Sequence, residues 1–323
     1  MTAEPMNSSS VIRPQKATLE AFLRLVRIWN LPTALADSSA GFLIAAADPI
    51  PIAGRLPLVM LVSAAIYSAG MVWNDLLDLE RDRTLHPDRP LPSGVIRKKT
   101  GGRLGGLLIL GGLFAAGLLG GFTFLLAFLL VVLTFTYNGW LKHKGFAGCI
   151  NMGACRFLNM WLGIAAAGGS LAVCWIYPAL LGLYVAAVTL LSLQEEEHLT
   201  ARQFFAFLSA VLAVVAALGI LAVRAAGIPA RLGLAVLAGQ EGWILYAGVA
   251  AARKLRDDKP AGATVGSVIR VALASILLLD GAMLLTAGRL IGGICCTAML
   301  VPTVLLARRL AKRPAPARAV PTA

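Results

Sequence analysis

The chain has 323 residues, of which 58% are hydrophobic and only 14% are charged. In a soluble domain about a quarter of all residues are charged, so this composition excludes an ordinary soluble protein. The net charge of +13 does not require a nucleic-acid partner, because Lys and Arg collect in the cytoplasmic loops of membrane proteins. We therefore predict a membrane protein that contacts lipid and does not bind nucleic acid.

Apolar segments follow one another along most of the chain, and none shows the alternation of a strand. Ten such segments are present, at 31–47, 56–73, 104–119, 122–140, 146–167, 171–193, 204–223, 232–252, 265–285 and 290–307. We predict an all-α, polytopic transmembrane bundle of nine to ten helices, since two segments could merge or one could be re-entrant. A single membrane domain would cover residues 21–310, between a polar segment at 1–20 and a disordered basic tail at 311–323.

Basic residues are distributed unevenly between the two sides of this predicted bundle. If ten helices cross the membrane, 23 of the 29 Lys and Arg residues fall on the side of the amino terminus and four on the other. The remaining two, Arg156 and Arg270, lie inside apolar segments. The positive-inside rule then places the amino terminus in the cytoplasm. We expect the protein to reside in the inner, cytoplasmic membrane.

An acidic motif ends the second apolar segment. Asn74, Asp78 and Asp82 are spaced at i, i+4 and i+8, and Asp75 lies beside them, so a continued helix presents all four on one face. Carboxylates packed so closely repel each other unless a cation holds them. Oxygen ligands suit Mg²⁺, which proteins usually bind with one or two carboxylates plus substrate phosphates. The motif thus predicts a magnesium-dependent diphosphate site at the cytoplasmic surface.

A proline-rich segment follows the acidic motif. Arg89-Pro-Leu-Pro ends any helix, because a proline restricts the residue before it. The loop could fold back and bring Arg89 close to a phosphate, which matches the planar fork of its guanidinium. The alternative for the acidic motif is a solvated helix end in which Arg81 and Arg83 neutralise the acids.

These two motifs, in this order and spacing, resemble the UbiA superfamily of intramembrane prenyltransferases. Further similar positions are Arg27, Asn30–Pro32, Tyr137, Lys142, Lys144, Gly153, Asn159 and Gly163. The segments at 30–41 and 151–159 resemble a narrower branch, the UbiA-like EboC proteins. The likeness covers about residues 20–200.

The resemblance implies a helical bundle around a lipid-facing cavity, with Mg²⁺ and a prenyl diphosphate held at its cytoplasmic mouth. It implies that Asp75, Asp78 and Lys142 are catalytic. The implied metal ligands of the first motif are Asn74, Asp75, Asp78 and Asp82. The implied substrate contacts are Arg27, Arg83, Arg89, Lys142, Arg156 and Asn159.

The second acidic motif departs from the family pattern. Where the family has a DxxxD sequence, this chain has Glu195-Glu196-Glu197, and three consecutive residues cannot all face one side of a helix. We expect Glu195 or Glu196 to complete the metal site. The alternative is a solvated acidic loop that binds nothing.

Ionisable residues lie inside apolar segments, among them Asp37, Arg156, Glu241 and Asp280. Charges in the membrane core are costly, so these side chains should face the bundle interior in pairs. Arg156 is either a diphosphate contact or the partner of Asp37 or Asp280 in an ion pair.

The function predicted from these features is Mg²⁺-dependent transfer of a prenyl group from a polyprenyl diphosphate to a small acceptor within the membrane. The altered second motif and the EboC likeness leave a rival. That rival is a non-catalytic membrane protein that binds a lipid diphosphate or supports export of a metabolite.

Overall fold

The computed structural model describes residues 14–47, 54–192, 201–225, 227–256 and 261–310, and within these ranges every regular element is helical. In chain order the elements are α1 Pro14–Leu25, α2 Leu31–Ala45, α3 Arg55–Leu77, α4 Leu79–Leu85, α5 Lys98–Leu119, α6 Gly121–Thr136, a π-helical turn Tyr137–Leu141, α7 Phe146–Ala166, α8 Leu171–Cys174, α9 Ile176–Ser192, α10 Ala201–Ala225, α11 Ile228–Arg256, α12 Ala261–Ala274, α13 Ile276–Thr286, α14 Leu290–Ala298 and α15 Leu300–Leu310. Each predicted apolar segment falls on one helix or on a consecutive pair. The all-α prediction is confirmed.

Seven helical stretches of the described chain are long and apolar enough to cross a membrane. They are Arg55–Leu77, Lys98–Leu119, Gly121–Leu141, Phe207–Ala225, Ile228–Ala250, Gly266–Thr286 and Leu290–Leu310. Large apolar side chains such as Leu107, Leu110 and Phe114 of α5 are exposed on the outside, where a lipid environment accommodates them. The chain is therefore a multi-pass integral membrane protein.

Small residues allow α2 and α7 to pack closely. A Cβ added to Gly163 would lie 1.9 Å from the carbonyl oxygen of Ser38, and one added to Gly41 would lie 2.1 Å from that of Met160. Only glycine permits such an approach of two backbones, a common device of membrane helix interfaces. The close contact brings the polar residues of the two helices together in the interior.

The opposite ends of α3 have different chemistry. At its start, the Arg55 guanidinium donates hydrogen bonds to the carbonyls of Ala166, at 2.8 Å, and Leu119, at 3.1 Å. These carbonyls belong to the ends of α7 and α5, where a positive charge is favourable. At its other end, α3 carries the acidic motif.

Candidate active site

The acidic motif spans the junction between α3 and α4. The helix assignment is interrupted at Asp78, but the backbone N–H of Asp78 still bonds to Asn74, at 3.0 Å, and that of Asp82 bonds to Asp78, at 2.8 Å. The i, i+4 register predicted from the spacing is thus kept across the junction. Asn74, Asp75 and Asp82 are buried, with 7% or less of each residue exposed.

Basic and amide groups connect the first three members of the motif. Lys142 donates from Nζ to Asn74 Oδ1 at 3.0 Å and forms an ion pair with Asp78. Arg27 donates from Nη2 to Asp75 Oδ1 at 3.0 Å, and the Asn74 amide donates to the same oxygen at 3.2 Å. Buried carboxylates of this kind require such partners.

The loop after α4 folds back over the motif, as the sequence predicted. Arg89 forms an ion pair with Asp82, and its Nη1 lies 3.9 Å from Asp75 Oδ1. Within the loop, the backbone N–H of Ser93 donates to the Arg89 carbonyl at 3.0 Å. One connected acid–base network therefore joins α3, α4, the loop and the segment after the π turn.

The acidic motif offers oxygen ligands to the magnesium ion that the family resemblance implies. Within the described ranges, no three Asp, Glu, His or Cys side chains converge on a single point. The contacts to Asp75, Asp78 and Asp82 each use one carboxylate oxygen. Because Mg²⁺ needs only one or two carboxylates when a diphosphate supplies other oxygens, these residues fit a metal that binds together with its substrate.

A cavity of about 110 Å³ opens next to the motif, inside the bundle. Gly70 and Met71, one turn before Asn74 on α3, contribute to its wall. Its other apolar lining residues include Ile66, Leu130 and Met152. Its polar lining residues include Ser63, Tyr67, Tyr137, Asn138, Arg156 and Asn159. A mainly apolar wall with a few directed polar groups is typical of a ligand site.

Arg156 and Asn159 of α7 form part of the wall of this cavity. Arg156 Nη1 lies 2.6 Å from Asp37 Oδ2, and its Nη2 donates to Thr33 Oγ1 at 3.1 Å. Asn159 donates to Asp37 Oδ2 at 3.2 Å. The ion pair left open as an alternative for Arg156 is thus formed, with Asp37 as the partner. The proposed contact of Arg156 and Asn159 with a substrate stays a prediction.

The structure does not bring the predicted site residue Arg83 into the network. Arg83 contacts Glu80 at 2.8 Å, and both side chains are more than half exposed. Its predicted role in substrate binding therefore has no geometric support. Glu195 and Glu196, the predicted ligands of the second motif, lie outside the described residues.

A second, polar pocket of about 200 Å³ opens at the surface on another side of Asp75. Its lining includes Arg24, Arg27, Trp29, His86, Asp88 and Arg89. Arg27 has φ of 48° and is the one non-glycine residue of the described chain in the left-handed region. Strained backbone of this kind is concentrated at functional sites.

Tyr67 and Asn138 contact the site but were not predicted from the sequence. The Tyr67 hydroxyl donates to the Arg27 carbonyl at 3.4 Å, and the Asn138 amide donates to the Gly70 carbonyl at 3.1 Å. Tyr67 was detectable, because it precedes Asn74 by seven residues and so lies on the same face of α3. Asn138 had no comparable signal, because its contact depends on how α3 packs against the π turn.

The fold and this site define a multi-pass membrane protein with an acid–base cluster beside an intramembrane cavity. Comparison with known proteins narrows this class. The model of the UbiA prenyltransferase family matches residues 34–255. The chain therefore belongs to the UbiA prenyltransferase family.

The similar proteins include several digeranylgeranylglyceryl phosphate synthases. Digeranylgeranylglyceryl phosphate synthase of Sulfurisphaera tokodaii is 32% identical over 165 residues, which is 50% of this chain and 59% of that protein. The synthase of Pyrococcus horikoshii is 34% identical over 160 residues, 48% of this chain and 57% of that protein. The matched region thus spans less than two thirds of these relatives.

Solved structures share the fold at low sequence identity. A UbiA homologue from Archaeoglobus fulgidus, bound to GPP and Mg²⁺, has a TM-score of 0.59 at 15% identity and covers 80% of this chain and 99% of its own. The apo UbiA homologue of Aeropyrum pernix has a TM-score of 0.58 at 18% identity and covers 85% of this chain and 98% of its own. The superfamily prediction is confirmed, and the narrower EboC likeness stays a prediction.

Proposed function

We propose that this protein catalyses Mg²⁺-dependent transfer of a prenyl group from a polyprenyl diphosphate to a small acceptor within the membrane. The observation that carries the proposal is the position of the acid–base network beside an apolar intramembrane cavity. A substrate with a charged head and an apolar tail fits this pairing. The names of the archaeal relatives, and the GPP and Mg²⁺ bound to a homologue of the same fold, support the assignment.

Oxygen atoms of Asn74, Asp75, Asp78 and Asp82 would hold the magnesium ion. When bound, the metal acts as a Lewis acid that stabilises the negative charge developing on the leaving diphosphate. The carboxylates would then pair with the metal in place of the basic side chains. Lys142, Arg27 and Arg89 would then be free to bind phosphate oxygens.

The cavity gives the reaction a dry environment. Apolar side chains such as Ile66 and Leu130 line it together with Tyr67 and Tyr137. Exclusion of water prevents hydrolysis of an allylic carbocation, and aromatic rings stabilise a nearby positive charge. The acceptor would replace the diphosphate at the allylic carbon and release one proton.

Purified protein in lipid nanodiscs, incubated with radiolabelled geranylgeranyl diphosphate and Mg²⁺, tests this activity directly. The assay follows diphosphate release with and without a membrane extract that supplies acceptors. Release of diphosphate that requires Mg²⁺ and is lost in the Asp78→Asn variant would support the proposal. Glu80→Gln is the matched control, because Glu80 is an exposed carboxylate next to the site that pairs with Arg83.

The same measurement separates the enzyme from the non-catalytic alternative, which the altered second motif favours. Tight, Mg²⁺-dependent binding of geranylgeranyl diphosphate with no release of diphosphate, with or without the membrane extract, would exclude prenyl transfer. It would support a UbiA-like protein of the EboC type instead.

We further propose that the acidic motif faces the cytoplasm and that the protein resides in the inner membrane. The support is the excess of Lys and Arg on the side of the amino terminus. Arg97, Lys98 and Lys99 lie exposed on the same side of the bundle as the acidic motif, at the start of α5.

A further inference from the structure

Three charged side chains meet inside the bundle, separate from the acidic motif. They come from three helices: Asp37 from α2, Arg156 from α7 and Asp280 from α13. Both aspartates are fully buried, and α13 packs against α2. The packing of these helices directs the carboxyl group of Asp280 towards that of Asp37.

The cluster has more hydrogen-bond acceptors than donors. Arg156 and Asn159 both donate to Oδ2 of Asp37. Oδ1 of Asp37 and both carboxylate oxygens of Asp280 have no hydrogen-bond donor in the described part of the chain. Two ionised carboxylates can only accept hydrogen bonds, so they could not satisfy each other.

The charges do not balance either if both aspartates are ionised. One guanidinium would face two fully buried carboxylates, and an unpaired buried charge is strongly unfavourable. Among the described residues, the other titratable groups facing the cluster are Tyr67 and Cys155, towards Arg156, and Cys296, towards Asp280. None of them can supply a second positive charge. A bound proton would remove the excess charge and provide the missing donor.

We propose that Asp37 and Asp280 form a proton-binding site within the membrane and share one proton. Asp280 carries it as a carboxylic acid whose O–H donates to Oδ1 of Asp37, which stays ionised and paired with Arg156. The cluster is then neutral as a whole, and the free oxygen of Asp37 has a donor.

The proton-binding site is linked to the intramembrane cavity through Arg156, which lines the cavity wall. Asp280 acts as a positioning residue: it orients Asp37, and Asp37 in turn holds the Arg156 guanidinium at the wall. This inference does not depend on the proposed prenyl transfer, since it concerns the protonation of the resting protein.

Infrared spectroscopy of the protein in nanodiscs at neutral pH tests the proposal. A protonated carboxyl group has a C=O stretching band at a frequency distinct from the bands of carboxylates. The expected spectrum contains a band that shifts when the protein is labelled with [4-¹³C]aspartate and that disappears in Asp280→Asn. The control Glu241→Gln, which removes another intramembrane carboxyl, should leave that aspartate band in place.

Asp280→Asn preserves the shape and neutrality of the acid, so it should fold with a thermal midpoint close to that of the wild type. An aspartate-sensitive band that persists in this variant would overturn the proposal. If the variant does not fold, the labelled wild-type protein decides alone, because a spectrum without an aspartic acid band would equally refute a shared proton.

Discussion

Lys142 and Asp78 are in direct contact although 64 residues separate them in the chain. Asp78 lies at the junction of α3 and α4, and Lys142 follows the π turn after α6. The same lysine also bonds to Asn74. One cation thus connects two members of the acidic motif.

Asp78→Asn should lower Mg²⁺-dependent turnover by about 100-fold or more, the effect of removing one group that stabilises transition-state charge. The amide keeps the size of the carboxylate, so the thermal midpoint should stay near that of the wild type. Rates of diphosphate release, measured beside Glu80→Gln, check this. Equal rates in wild type and Asp78→Asn would contradict the assigned role.

Lys142→Met should reduce turnover by about 10- to 100-fold, because a charge-assisted hydrogen bond contributes about 1.5–3 kcal/mol. Lys142→Arg keeps the charge and should retain more activity than the methionine variant. Titration with a non-hydrolysable prenyl diphosphate analogue, with Mg²⁺ present, measures how much of the loss comes from weaker substrate binding. Unchanged affinity in Lys142→Met would show that Lys142 only neutralises Asp78 and does not contact phosphate.

Gly163→Ala should destabilise the bundle by about 1–3 kcal/mol, because the added Cβ would overlap the Ser38 carbonyl and force α2 and α7 apart. Gly106→Ala is the control, since a Cβ at Gly106 on α5 meets nothing within 4 Å. Alanine there should be neutral or slightly stabilising. Thermal unfolding in one detergent compares the two variants, and equal losses would argue against the close helix contact.

Arg156→Met should destabilise the protein by about 3–5 kcal/mol, because it leaves the buried Asp37 carboxylate without its cation. Adding Asp37→Leu to this variant should recover most of the stability, since a buried ion pair can be replaced by apolar side chains. The double variant should nonetheless lack any substrate contact made by Arg156. A double variant no more stable than Arg156→Met would contradict this account.

Single cysteines placed at Lys99 and at Arg224 in a cysteine-free background should be labelled from opposite sides of the membrane. Both side chains are exposed, at the start of α5 and at the end of α10. A membrane-impermeant maleimide applied to intact cells should label position 224 and spare position 99. The reverse result would invert the proposed topology.

The sequence predicted the parts of the site that depend on local spacing. The i, i+4 register of Asn74, Asp78 and Asp82 survives the helix junction, and the two prolines after Arg89 account for the loop that returns to Asp82. In both cases the structure-forming signal lies within a few residues of the side chains concerned. The helical bundle could be predicted for the same reason, from uninterrupted apolar runs.

Contacts between distant helices could not be predicted in this way. The sequence left two possible partners for Arg156, and only the packing of α2 against α7 selects Asp37. Likewise, Arg83 is closer to the motif in sequence than Arg89, yet it turns outward to Glu80. The direction of a long side chain depends on neighbours that sequence spacing does not identify.

The π turn at Tyr137–Leu141 makes the length of this segment critical. A π turn accommodates one residue more than an α-helix over the same rise, so it absorbs that residue without rotating the segment that follows. If the same residues wound as a regular α-helix, or if one further residue were inserted, the following positions would rotate by roughly 100°. Lys142 would then point away from Asp78, although no side chain in the site had been altered. The segment should tolerate changes of residue type far better than the insertion of a residue.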